Sequence, residues 1–133
     1  MKKLICLIFF AATLISCQES TTSIEPEPVL GEEFEIEIGE QITIQKEGLS
    51  ITFKELLDDS RCPKGVYCVW AGNAKVAIQV NDEKAKLNTH LEPKTVNISE
   101  YSVTLVSVNP YPEYKTKIRE EEYVLTLVVT QAE

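Results

Sequence analysis

Glu33-Phe34-Glu35-Ile36-Glu37-Ile38-Gly39-Glu40-Gln41-Ile42-Thr43-Ile44-Gln45 alternates polar with apolar side chains over almost its whole length. Period two is the repeat of a strand with one face buried and one face wet, because successive side chains leave the pleated backbone on opposite sides. Leu49, Ile51 and Phe53 repeat it against Ser50, Thr52 and Lys54. Gly39-Glu40 and Glu47-Gly48 fall between the runs, where glycine takes the backbone angles of tight turns, so the three runs read as a meander.

Further on, Ala74, Val76, Ile78 and Val80 continue the alternation, Asn81-Asp82-Glu83-Lys84 reads as a hairpin turn, and Ala85 with Leu87 begins a return strand. Val96-Asn97-Ile98 is a short strand, and Tyr101, Val103 and Leu105 form one face of another. Tyr123, Leu125, Leu127 and Val129 line the last strand, whose other side carries Val124 and Val128, as expected of a central strand. Between these two, Asn109-Pro110-Tyr111-Pro112 is a loop, since two prolines remove ladder donors. Glu55-Leu56-Leu57-Asp58 admits one helical turn. Strands recurring with frequent turn signals predict an all-β domain over residues 32–133, a small antiparallel β-sandwich or partly open barrel with one disulfide-stapled loop.

Upstream of this domain, Met1-Lys2-Lys3 followed by an apolar run ending in Leu14-Ile15-Ser16-Cys17 looks like a bacterial lipoprotein signal peptide. The apolar run is too short to span a bilayer as a mature helix. Residues 1–16 are therefore the expected leader and Cys17 the expected lipidation site. Residues 17–31 would be the lipidated Cys and a Ser, Thr, Glu and Pro tether, too poor in apolar side chains to offset its ordering entropy. Gln18 after the Cys resembles outer-membrane sorting, which places the domain in the bacterial cell envelope on the periplasmic or surface face. Cys6 leaves with the leader and Cys17 takes lipid, so Cys62 and Cys68 remain to pair in an oxidising compartment.

Loss of Lys2 and Lys3 leaves 11 Lys and Arg against 21 Asp and Glu. Such a chain repels phosphate, so nucleic acid and electrostatic membrane docking are poor expectations, and the membrane partner is reached through the lipid anchor. No Asp-x-Asp-x-Asn-Gly spacing points to Ca²⁺, and Glu120-Glu121-Glu122 reads as a solvated turn. His90 is the one histidine, which denies a zinc site its ligands and a Ser-His or Cys-His centre its partner. The expectation is a non-enzyme without metal or cofactor.

Asp58-Asp59-Ser60-Arg61-Cys62-Pro63-Lys64-Gly65-Val66-Tyr67-Cys68-Val69-Trp70-Ala71-Gly72-Asn73 departs from ordinary strand composition. Its Asp-Ser-Arg-Cys-Pro, second Cys six positions on, and x-Trp-Ala-Gly resemble the signature of a family of short, functionally uncharacterised bacterial lipoproteins and secreted proteins. That resemblance extends to the flanking strands and transfers no catalytic residue. Physically, a Cys62 to Cys68 bridge is a local staple, with Trp70 expected to cover it as a core lid and Arg61 to pair with Asp58 or Asp59 at the strand end. Pro63, Lys64, Gly65, Val66, Tyr67 and Trp70 form the candidate recognition loop. The expected function is a lipid-anchored binding or structural module with an envelope protein partner. Alternatives are an inhibitor of an exported hydrolase inserting the loop through Lys64 or Tyr67, and a β-barrel carrier of a small apolar ligand.

Overall fold

A computed structural model describes residues 26–133, so the expected leader, Cys17 and the first part of the tether lie outside the described residues. The alternating runs become eight strands: β1 (Glu33–Glu37), β2 (Gln41–Ile44), β3 (Leu49–Asp59), β4 (Ala74–Val80), β5 (Glu83–Asn88), β6 (Thr95–Ile98), β7 (Tyr101–Asn109) and β8 (Val124–Gln131). They form two four-stranded antiparallel sheets, ordered β1-β8-β7-β6 and β2-β3-β4-β5, which do not close into a barrel. Inward side chains of both sheets share one core, with Ile36, Leu125 and Leu127 from the first and Ile51, Phe53 and Ile78 from the second fully buried. Each such side chain contributes roughly 1.5–3 kcal/mol by leaving water. β8 lies between β1 and β7, the central position its two apolar faces require.

Two expectations are corrected. The first three strands are not one meander: β1 pairs with β8, placing Ile36 opposite Leu125, while β2 pairs with β3, placing Ile42 opposite Ile51. The chain changes sheet at Gly39, whose φ of +81° and N–H bond to the Phe53 carbonyl at 2.7 Å carry it across the sandwich edge. Alternation specifies which face is buried and not which strand lies alongside, so it cannot report the switch. Residues 55–58 also stay extended. The β3/β4 register shifts between Phe53 and Glu55 and again between Leu56 and Asp58, and these bulges break the period-two pattern that would have marked the segment as strand.

Antiparallel pairing sorts the connections onto two poles. The ends of β1, β3, β5 and β7 meet the starts of β4 and β8 at one pole, as the pairs Glu37↔Val124, Asp59↔Ala74 and Asn109↔Val124 record. At the other pole the chain enters, where Glu27–Leu30 face Ile44–Glu47. Leu30 packs against the core and the Gly31 N–H donates to the Val129 carbonyl at 2.8 Å, so the last residues of the expected tether touch the sandwich. No helix among the described residues is long and apolar enough to cross a membrane.

Candidate functional site: the stapled pole

β3 ends in Asp59, and Arg61, two residues on, turns its side chain inward instead of out to solvent. Arg61 is only 6% exposed. Its Nε donates to Asp59 Oδ1 and its Nη2 to Asp59 Oδ2, both at 2.7 Å, a two-pronged match of guanidinium fork and carboxylate. Nη1 donates to the Val108 carbonyl and Nη2 also to the Pro110 carbonyl at 3.1 Å, joining the end of β3 to the end of β7 in the opposite sheet. The Tyr123 hydroxyl donates to Asp59 Oδ2 at 3.0 Å, adding the start of β8. The pairing expected at the surface with Asp58 or Asp59 is therefore a buried knot with Asp59 that ties the two sheets. Burial pushes the Asp59 carboxyl up, but the hydrogen bonds and charge of Arg61 outweigh it and hold the group below the ordinary carboxylate range. Burial, and then the bond to Asp59, pushes the Tyr123 phenol up to about 12.

The chain then runs out and back as a narrow excursion. Ser60 N–H donates to the Asn73 carbonyl and Cys62 N–H to the Ala71 carbonyl, each at 2.8 Å. Asn73 anchors the return: its Nδ2 donates to Asn88 Oδ1 at 3.0 Å, while its Oδ1 accepts the backbone N–H groups of His90 and Leu91. His90 itself is exposed, and among the described residues no group of His, Cys, Asp and Glu is placed to hold a metal. At the tip, Cys62 and Cys68 are bonded with their Cα atoms 5.9 Å apart. The ring closes over a turn in which Val66 N–H donates to the Pro63 carbonyl and Gly65 takes φ +85°. Replacing both cysteines by Ser should lower stability by about 2 kcal/mol, the loop-closure entropy of so short a ring, read as a lower urea midpoint at unchanged m-value.

Trp70 does not cover the bridge as a core lid. It is 51% exposed and stands with Tyr67 and Val69, both fully exposed, and with Val66. The core is already filled by strand residues, so the excursion carries its apolar side chains outward. Pro63 is half-buried, and Lys64 and Gly65 are exposed.

A second loop, 110–117, belongs to the same surface, and sequence reasoning left it apart. Lys64 N–H donates to the Pro112 carbonyl and Tyr114 N–H to the Lys64 carbonyl, both at 3.0 Å, a two-way bridge between the loops. The Tyr111 hydroxyl donates to the Cys62 carbonyl at 2.9 Å, and its ring lies beneath the Arg61 guanidinium and the Lys64 ammonium at 5.1 and 5.8 Å. The signal in the sequence was the pair of tyrosines, Tyr111 and Tyr114, in a segment with no strand to pack. Surface hollows of about 620, 520 and 230 Å³ lie along the β1/β2 edge, beside Leu56, Lys117 and Ile118, and at the entry pole; residues 60–72 line none of these three.

Fold and site together define a disulfide-stapled β-sandwich that presents an aromatic pole. Compared with models of known families, with curated proteins and with solved structures, the chain shows no match.

Proposed function

We propose that the protein is a lipid-anchored binding module of the bacterial cell envelope, held through Cys17 on the periplasmic or surface face of the outer membrane, and that it engages its target through the stapled pole. One observation carries this reading. The marked segment divides cleanly: Asp59, Ser60, Arg61, Cys62, Ala71 and Asn73 are each tied by hydrogen bond, ion pair or disulfide into the fold, whereas Tyr67, Val69 and Trp70 have no such bond and stand in solvent. Large apolar side chains left in solvent on a hydrogen-bonded, disulfide-closed frame mark a surface that is covered in use. The motif's resemblance to bacterial lipoproteins and the expected leader ending before Cys17 support the address.

The test replaces Lys64, Tyr67 and Trp70 together by Ala. Because these side chains lie outside the core, thermal stability should stay within about 0.5 kcal/mol of wild type. Capture of the envelope component bound by the wild-type chain should fall at least tenfold. Undiminished capture by the triple variant would reduce the motif to a stapled corner. The stapled loop with its exposed Tyr67 also suits insertion into a hydrolase cleft, and in that case titrating the protein against an exported hydrolase should abolish its activity in a Tyr67-dependent manner.

A further inference from the structure

A peptidase cleft makes two demands of a segment that enters it: a side chain free to fill the specificity pocket, and main-chain N–H and C=O groups free to bond along the cleft. The stapled ring offers two candidates, Lys64 and Tyr67, and they differ in what the fold has already used. Both main-chain groups of Lys64 are spent on the 110–117 loop, its N–H donating to the Pro112 carbonyl and its carbonyl accepting the Tyr114 N–H, each at 3.0 Å. Its ammonium also lies over the Tyr111 ring at 5.8 Å. Tyr67 is the opposite case. Its side chain is fully exposed, and among the described residues no hydrogen bond uses the main chain of residues 67–70.

From this we infer that the ring is a substrate-like inhibitory loop, which presents Tyr67 to an exported endopeptidase whose pocket takes aromatic side chains, with the Tyr67–Cys68 peptide bond lying across the catalytic groups. The inference rests on the reading of the stapled pole as the binding surface, and it names the partner's chemistry and the side chain that enters it. A pocket floored by a carboxylate, which takes Lys or Arg, is not the match, because the Lys64 carbonyl is already bonded within the fold. Val66 before the bond, and Val69 and Trp70 beyond it, are exposed and give the walls of the cleft apolar side chains to meet.

The staple makes this segment an inhibitor and not a substrate. The Tyr67–Cys68 bond lies inside the ring that Cys62 and Cys68 close. Hydrolysis adds one water across it, leaving a carboxylate on Tyr67 and an amine on Cys68, yet neither end departs. The upstream half is fixed through the two bonds of Lys64 and through Cys62, whose N–H donates to the Ala71 carbonyl at 2.8 Å and whose carbonyl accepts the Tyr111 hydroxyl at 2.9 Å. Cys68 is held by the disulfide itself. The new amine therefore stays beside the carboxyl it left, at the high effective concentration of an intramolecular group, and the bond re-forms before the ends separate. Ordering the loop in advance also removes that cost from binding.

The full chain, held in phosphatidylcholine nanodiscs, is titrated against chymotrypsin and against trypsin, each assayed on a chromogenic peptide. The expected result is stoichiometric inhibition of chymotrypsin alone. Tyr67→Ala should weaken it at least about thirtyfold at unchanged melting temperature, the loss expected for an anchoring aromatic. Tyr67→Lys should transfer the inhibition to trypsin. After long incubation, mass spectrometry should find intact chain together with a form one water heavier, whose halves separate only after denaturation and reduction. Rapid and complete cleavage of the loop, inhibition of trypsin through Lys64, or inhibition indifferent to Tyr67 overturns the proposal, as does a chymotrypsin left fully active. If chymotrypsin stays active while capture from the envelope still depends on Lys64, Tyr67 and Trp70, the pole remains the binding surface and only the peptidase assignment falls. If that dependence is lost too, the reading of the pole falls with it.

Discussion

Arg61→Ala should destabilise the folded protein by about 3–5 kcal/mol, a large fraction of what a domain of this size possesses. The reason is what the substitution strands rather than what it removes. Asp59 keeps its charge with a side chain only 9% exposed, and the carbonyls of Val108 and Pro110 lose the donor that reaches them from the opposite sheet. Arg61→Lys should recover only part of the loss, since an ammonium cannot make the two parallel bonds to one carboxylate while serving two carbonyls. Chemical denaturation with linear extrapolation measures both. A loss below 1 kcal/mol for Arg61→Ala would mean the knot is not what joins the sheets at this pole.

The same pair gives the domain an acid limit. Asp59 titrates lower in the folded chain than in the unfolded one, so its contribution is complete above the ordinary carboxylate value of 3.8 and is lost as pH falls through the lower folded value. Stability should therefore decline on acidification below about pH 4. Asp59→Asn should flatten that decline while lowering stability at neutral pH, because the buried guanidinium then lacks its counter-charge.

Strand positions were legible because period two survives in six of the runs without help from the rest of the chain. Sheet membership was not. The alternation of Phe34, Ile36 and Ile38 is the same whether the neighbour is β2 or β8, and β8 lies about ninety residues away in sequence. The disulfide followed from counting thiols and compartments, and it is formed. Burial of Arg61 could not be read, because a charged residue beside two aspartates in a loop is ordinarily solvated, and the carbonyls that draw it inward belong to Val108 and Pro110, 47 and 49 positions on. Trp70 failed for the complementary reason: a large aromatic is presumed to be core unless the core is known to be full. The joining of the two loops also needed the fold, since Lys64 and Tyr111 lie far apart in sequence and are brought together by the Lys64–Glu113 bridge and the Tyr111–Cys62 hydrogen bond.

Gly72→Ala should cost at least about 3 kcal/mol and leave little folded protein at physiological temperature. Two effects add at this position. Gly72 has φ +75°, a left-handed conformation that costs an L-residue roughly 1–2 kcal/mol. A Cβ there would also collide with the Ser60 carbonyl oxygen and lie 2.7 Å from the Arg61 Cα, both backbone atoms fixed by the Ser60–Asn73 and Cys62–Ala71 hydrogen bonds. Neither strand of the excursion can retreat, because Arg61 anchors one and Asn73 the other. The contrast is Gly65, at the tip of the same excursion with φ +85°, where an added Cβ meets only the Tyr114 Cβ at an ordinary 3.6 Å. Gly65→Ala should therefore cost only the backbone term, about 1–2 kcal/mol. Melting temperatures of the two variants, measured side by side, separate close approach from backbone strain, and equal losses would show that the Gly72 collision relaxes without cost. In the motif's closing Trp-Ala-Gly, then, the glycine sets how closely the two legs of the excursion approach, and the tryptophan two positions before it is left to face outward.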